Sequence, residues 1–205
     1  MKTTIPTSLF RATILFLVAS TVCGLVLAAI FFDLKSGGIA NGSETSVTEF
    51  AQAALIGTIS LLLFAVAARR PDLRGGLVLS AGFFLCMVIW ENDGWLDAIR
   101  HGLWYPVALA AAAVCLVIAW RYRSSVQAGL EALCNPCTVA WEVVGLALLL
   151  VFSRIFGSKA LWMSTDLYSR VVKTVAEESL ELLADAFLFV WAILTLRALP
   201  PRPKA

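Results

Sequence analysis

Apolar residues along this chain fall into six long runs, and short groups of polar and charged residues separate them. A helix needs roughly 20 mostly apolar residues to cross the hydrocarbon of a bilayer. The first run covers about 12–32, between Arg11 and Asp33. It is long for the apolar core of a signal peptide, and Val22 stands before Cys23 where a lipoprotein signal needs a small residue. The run is therefore expected to be a retained span. A polar loop follows, with turn signals at Gly37, Gly38, Asn41 and Gly42.

The second span is expected at about 48–68, closed by Arg69, Arg70 and Pro71. The third, about 75–91, is short and ends at a turn formed by Asn92, Asp93 and Gly94, so Glu91 and Asp93 are expected at the edge of the membrane. The fourth covers about 103–120, ahead of Arg121 and Arg123. The fifth covers about 138–157, with Glu142 near one end and Arg154 near the other. The sixth, about 168–199, opens with three charged turns, turns apolar, and stops at Pro200, Pro201 and Pro203. Between the fourth and fifth spans, Val126 to Leu133 reads as a short amphipathic helix on the inner surface, broken by Pro136. The expected fold class is all-α: a polytopic membrane protein, one six-helix transmembrane bundle over 1–205, with both termini cytoplasmic.

Composition strengthens this reading and excludes others. Apolar residues make up 60% of the 205 residues and charged residues 15%, against about 45–50% and 25% in soluble domains. The mean hydropathy is +0.86. A soluble enzyme, a disordered chain and a nucleic-acid binder are all excluded. The expected partners are the lipid bilayer and either another membrane protein or a second copy of the chain.

Charge adds the orientation. With the N-terminus inside, the inner segments hold Lys2, Arg11, Arg69, Arg70, Arg74, Arg121, Arg123, Arg197, Arg202 and Lys204, ten of the sixteen basic residues. They hold only Asp72, Glu131 and Glu142 of the fourteen acids. Excess lysine and arginine marks cytoplasmic loops. Short loops point to a bacterial inner membrane. Asn41 and Ser43 match a glycosylation acceptor, which has meaning only in a eukaryotic secretory pathway.

The acids crowded at the other end need their own explanation. Glu178, Glu181 and Asp185 are spaced i, i+3, i+7 on the sixth span. They fall within about 60° of one another on a helix. A carboxylate facing lipid is costly, so this stripe is expected to face the bundle interior. Like charges this close need a bound cation, a basic partner or a retained proton. Glu49, Glu91 and Asp93 are expected at the same membrane face. If the segment after the third span is helical, Asp93, Asp97 and His101, the chain's single histidine, also align. Carboxylates with an imidazole are ligand types for a divalent metal ion. Di-metal helical bundles use a Glu-x-x-His spacing; Glu178 and Glu181 have that spacing without the histidine. The candidate metal or cation site is thus Glu49, Glu91, Asp93, His101, Glu178, Glu181 and Asp185. In the alternative, the acids are structural partners of bases: Lys173 with Glu177, Arg154 with Glu181 or Asp185, and Arg100 with Glu91 or Asp97.

Cys134 and Cys137 form a C-x-x-C pair, which elsewhere marks redox or zinc chemistry. On the cytoplasmic side thiols stay reduced, and no second pair completes a zinc site. Redox function is not expected of them. Cys23, Cys86 and Cys115 read as packing residues within spans. Most of the seven tryptophans lie at span ends, as interfacial anchors do. No P-loop, nucleophile-elbow or dinucleotide fingerprint is present. Three functions fit: a metal or cation site acting on a membrane-resident substrate, a small proton- or cation-coupled transporter, and a non-catalytic subunit whose acidic face docks a basic partner.

Overall fold

The structure, a computed structural model, describes residues 7–37, 46–164 and 169–201. Among the described residues every regular element is helical. Six helices are long and apolar enough to cross a membrane: Ala12–Ser36, Val47–Arg69, Arg74–Glu91, Trp104–Arg121, Val139–Phe156 and Arg170–Arg197. These are the first to sixth spans below. The chain is an all-α, multi-pass membrane protein. Helices are the necessary solution here, because lipid offers no partner for a backbone N–H or C=O and a helix satisfies both internally. Lys2, the signals at Gly38, Asn41, Gly42 and Ser43, the expected helix start at Tyr168, and Arg202, Pro203 and Lys204 lie outside the described residues.

The second, third and sixth spans make the centre. Ile56, Ile59, Leu63, Leu77, Ala81, Ala184, Leu188 and Trp191 pack there with almost no exposed surface. The fourth span packs on the third, the fifth on the sixth, and the first along the second and sixth. Large apolar side chains point outward all round, among them Phe16, Leu25, Leu61, Val117 and Leu150. A water-soluble surface of this kind would aggregate, whereas lipid chains cover it without cost.

One end of the bundle is closed tightly. The short helix Val126–Leu133 does form, and it packs against the start of the third span. A Cβ added at Gly76 would come 2.5 Å from the Leu130 amide nitrogen and 2.6 Å from the Gly129 carbonyl carbon. Two backbones meet here, and only glycine allows the approach. Ser125 Oγ accepts from the Gly75 N–H at 2.9 Å and donates to the Tyr122 carbonyl. Arg70, 7% exposed, forks onto Asp72 at 2.7 and 2.9 Å and donates to the Pro200 carbonyl at 2.8 Å. The loop after the second span is thereby tied to the end of the sixth. The hydrogen bond that Arg70 donates to Asp72 raises the Arg70 pKa above its usual value against the cost of burial. Arg74 donates to the Ala67 and Ala68 carbonyls and lies over the Tyr122 ring, satisfying the last carbonyls of the second span.

The close glycine contact gives a direct prediction. Gly76→Ala should lower the stability of the purified protein by about 3 kcal/mol, in the range for overpacking a tight contact. Gly24→Ala, where nothing lies within 4 Å of an added Cβ, should be neutral. Denaturation in mixed micelles reads both, and equal effects from the two variants would refute the backbone contact.

Candidate functional site

The opposite end is built around carboxylates. At the end of the first span Asp33 is 1% exposed and accepts from the Val47 N–H at 3.0 Å, the Thr48 N–H at 2.7 Å and the Thr48 hydroxyl at 2.5 Å. It caps the first turn of the second span, where helix N–H groups lack partners and a negative charge is favoured. Ser46 adds the ordinary N-cap bond, accepting from the Glu49 N–H at 3.1 Å. This double cap fixes the height of Glu49 and Gln52. Gln52, fully buried, donates from Nε2 to the Glu178 carboxylate at 3.1 Å.

The fifth span contributes its cation through an irregularity. Gly145, Leu149 and Ser153 are its buried positions, four residues apart. In a regular helix, positions four apart drift by about 40° per step. Residues Leu148–Phe152 wind instead as one wide π turn, which takes up the drift and keeps this row on the sixth span. Ser153 Oγ donates to the Leu149 carbonyl at 2.6 Å, a carbonyl inside that turn. Arg154 follows directly and forms an ion pair with Glu181, engaging Oε1 without a well-directed hydrogen bond. Its guanidinium also lies 5.4 Å from the Trp90 ring centroid.

These elements enclose a cavity of about 450 Å³ whose wall includes Glu49, Trp90, Glu91, Asp93, Trp95, Arg154, Glu177, Glu178 and Glu181. Five of the seven expected site residues therefore meet: Glu49, Glu91, Asp93, Glu178 and Glu181. Asp185 lies one turn deeper than Glu181 on the same helix. It is 1% exposed, and neither carboxylate oxygen has a hydrogen-bond partner.

His101 does not join them. The helix Asp93–Asp97 is short, and the chain then turns through Gly102 at φ +78°. The expected alignment of Asp93, Asp97 and His101 ends with that helix. The His101 side chain is 98% exposed and pairs with Asp97 at 3.0 Å, while the other Asp97 oxygen accepts from the Gly102 N–H. Asp97 is thus engaged by His101 and Gly102 and not by Arg100, the expected partner. Among the described residues, no three His, Cys, Asp or Glu side chains come together as ligands of a single metal ion.

Two of the expected ion pairs form, Lys173 with Glu177 at 2.7 Å and Arg154 with Glu181. Arg154 reaches Glu181 and leaves Asp185 without a partner. Cys134 and Cys137 are exposed free thiols beside the Val126–Leu133 helix, at the end away from the cavity. Sequence reasoning missed three features of the site. Glu177 belongs to the cavity wall, Trp90 underlies Arg154, and Gly157 leaves the space that the Glu177 carboxylate fills. The spacing of Glu177, one residue before the stripe, placed it outside the shared face; only the glycine opposite it signals the fit.

Chemically, six carboxylates and one guanidinium surround the cavity, with a further unpaired acid beneath. Such an arrangement repels anions and is relieved by a cation or by retained protons. No family model, curated protein or solved structure matches this chain.

Proposed function

We propose that this protein is a small cation-coupled membrane carrier, in which the acidic cavity receives a cation and Asp185 exchanges that cation or a proton beneath it. The observation that supports this reading is Asp185 itself: a carboxylate within a span, almost without exposed surface, with both oxygens unpartnered. An ionisable group at such depth is expensive and is retained for function. Its two states, protonated or cation-bound, exclude each other on one carboxylate, and that competition is what coupling requires. The convergence of the acids on one cavity favours binding over docking of a basic partner on an acidic outer face. A carboxylate set without an imidazole favours a loosely held cation over a closed catalytic metal centre.

The acidic mouth is assigned to the outer side of a bacterial inner membrane, with both termini cytoplasmic. Support comes from the distribution of arginine and lysine: Arg69, Arg70, Arg74, Arg121 and Arg123 sit at the end opposite the acidic cavity.

The decisive variant is Asp185→Asn, which keeps the size and removes the charge. Because Asp185 has no partner, the purified variant should melt at the same temperature as the wild type or higher. Methylammonium, sodium and manganese are the probes, each at constant ionic strength. A probe that binds the cavity raises the melting temperature of the wild type by mass action, and this rise should shrink in Asp185→Asn. Glu181→Gln should behave differently. It strands Arg154, whose side chain is 43% exposed, and should cost about 1–2 kcal/mol after allowance for solvent screening. A less stable Asp185→Asn with an unchanged cation response would sink the carrier reading.

Orientation has its own measurement. Cytoplasmic reporters fused after Arg74, Arg123 and Ala205 should be active, and fusions at Asn41 and Asp97 inactive. The reverse pattern would overturn the assignment of the acidic mouth to the outer side.

A further inference from the structure

A second cleft, of about 430 Å³, adjoins the acidic cavity and shares Trp90, Glu91 and Arg154 with it. Below those three residues its wall is apolar: Phe83, Cys86 and Met87 from the third span, Ala108 from the fourth, and Leu149 and Leu150 from the fifth. Phe83, Met87 and Trp90 are spaced i, i+4, i+7 and so form one face of the third span. From Trp90 to Phe83 that face runs about 10 Å from the rim toward the middle of the membrane. The one thiol in the wall is satisfied internally, with Cys86 Sγ donating to the Ala108 carbonyl at 3.5 Å. The fourth span packs on the third and the fifth on the sixth, with no extensive contact between the fourth and fifth. The gap between them faces the lipid, and Leu150 stands exposed at its edge.

Resting on the reading of the acidic cavity as a cation site, we infer that the ligand is an amphiphilic primary amine that enters sideways from the bilayer. Its ammonium group sits in the acidic cavity and its alkyl chain lies in the apolar cleft. Charge selects the head. The cavity wall carries six carboxylates, and its guanidinium is already engaged by Glu181. Beneath it, Asp185 holds two unpartnered oxygens. Carboxylates need hydrogen-bond donors as well as charge, and a primary ammonium offers three. A quaternary head offers none and calls for a cage of aromatic faces; here Trp90 is already covered by Arg154 and stacked on Trp104 at 6.0 Å, which leaves Phe50 and Trp95 as the other rings among six carboxylates. The continuity of the two spaces selects the chain, because a purely polar cation would leave the cleft unused. The cleft's opening between the fourth and fifth spans selects the route.

The test compares hexylammonium, methylammonium, hexanoate and hexanol as titrants of the purified full-length protein by calorimetry. Hexylammonium is expected to bind about tenfold or more tightly than methylammonium, since each buried methylene adds to affinity, and hexanoate and hexanol are expected not to bind. Ala108→Trp, which fills the cleft, should bring hexylammonium down to the methylammonium level and leave methylammonium unchanged. Leu150→Trp, at the exposed edge, gives the same comparison if Ala108→Trp does not fold. Equal affinities for the two amines in the wild type would overturn the amphiphile inference and leave the cation site standing. So would undiminished hexylammonium binding in the tryptophan variants. Binding of hexanoate or hexanol as tight as that of hexylammonium, or no binding by any probe, would overturn both.

Discussion

Burying carboxylates inside a bilayer is the constraint around which this bundle is organised. A lone charge there costs several kcal/mol or more, so each acid that enters must be matched or left in a state that tolerates solitude. The structure uses both solutions on one helix. Glu177 is matched by Lys173 and Glu181 by Arg154, while Glu178 is held by the amide of Gln52. Asp185, the deepest, is given nothing. The matched acids need two other spans at the right height, the second set by the Asp33 cap and the fifth set by its wide turn, together with the first turn of the sixth itself. The positions of whole helices thus follow from where a few side chains must arrive.

The two ends of the bundle are consequently unlike. At the basic end, Gly76 meets Gly129 backbone to backbone and Arg70 ties Asp72 to Pro200. Beside this contact a smaller cleft of about 240 Å³ remains, lined by Leu79, Ser80, Leu130, Glu142 and Trp191. At the acidic end, the spans splay around two joined spaces. Small residues close one end and long charged residues hold the other apart. The close backbone contact at the base sets the register of the helices whose other ends carry the charged groups of the mouth.

Much of this was legible in the chain. Six apolar runs with charged punctuation predict six spans, because the length of a span is set by the bilayer and not by packing. The i, i+3, i+7 spacing places Glu178, Glu181 and Asp185 on one face, and the fold turns that face inward: Glu181 and Asp185 are buried. What periodicity could not supply was the relation between helices. The wide turn at Leu148–Phe152 has no composition of its own; it is five ordinary apolar residues. The Asp93–Asp97 helix stops four residues before His101, and the chain then turns through Gly102 at a positive φ, so that His101 stands away from the acids it matches in chemistry. Asp33 reads in sequence as the polar end of a span. Only the structure makes it the cap of the next helix.

Arg154 joins the two spaces chemically as well as spatially. It stands on the wall of both, paired with Glu181 on one side and lying over Trp90 on the other. A cation entering the cavity competes with this guanidinium for Glu181, so occupancy and the Arg154 ion pair are mutually weakening. Trp90 carries the same competition into the cleft, because the ring that supports Arg154 also forms the cleft's upper wall. Any ligand filling both spaces would pass beside Arg154, whose two contacts leave both spaces open. Arg154 also sits two residues after the wide turn at Leu148–Phe152, the one such turn among the described residues, and turns of this kind recur at functional sites. The side chain that stands on the wall of both spaces is therefore carried by the one span whose winding departs from a regular helix among the described residues.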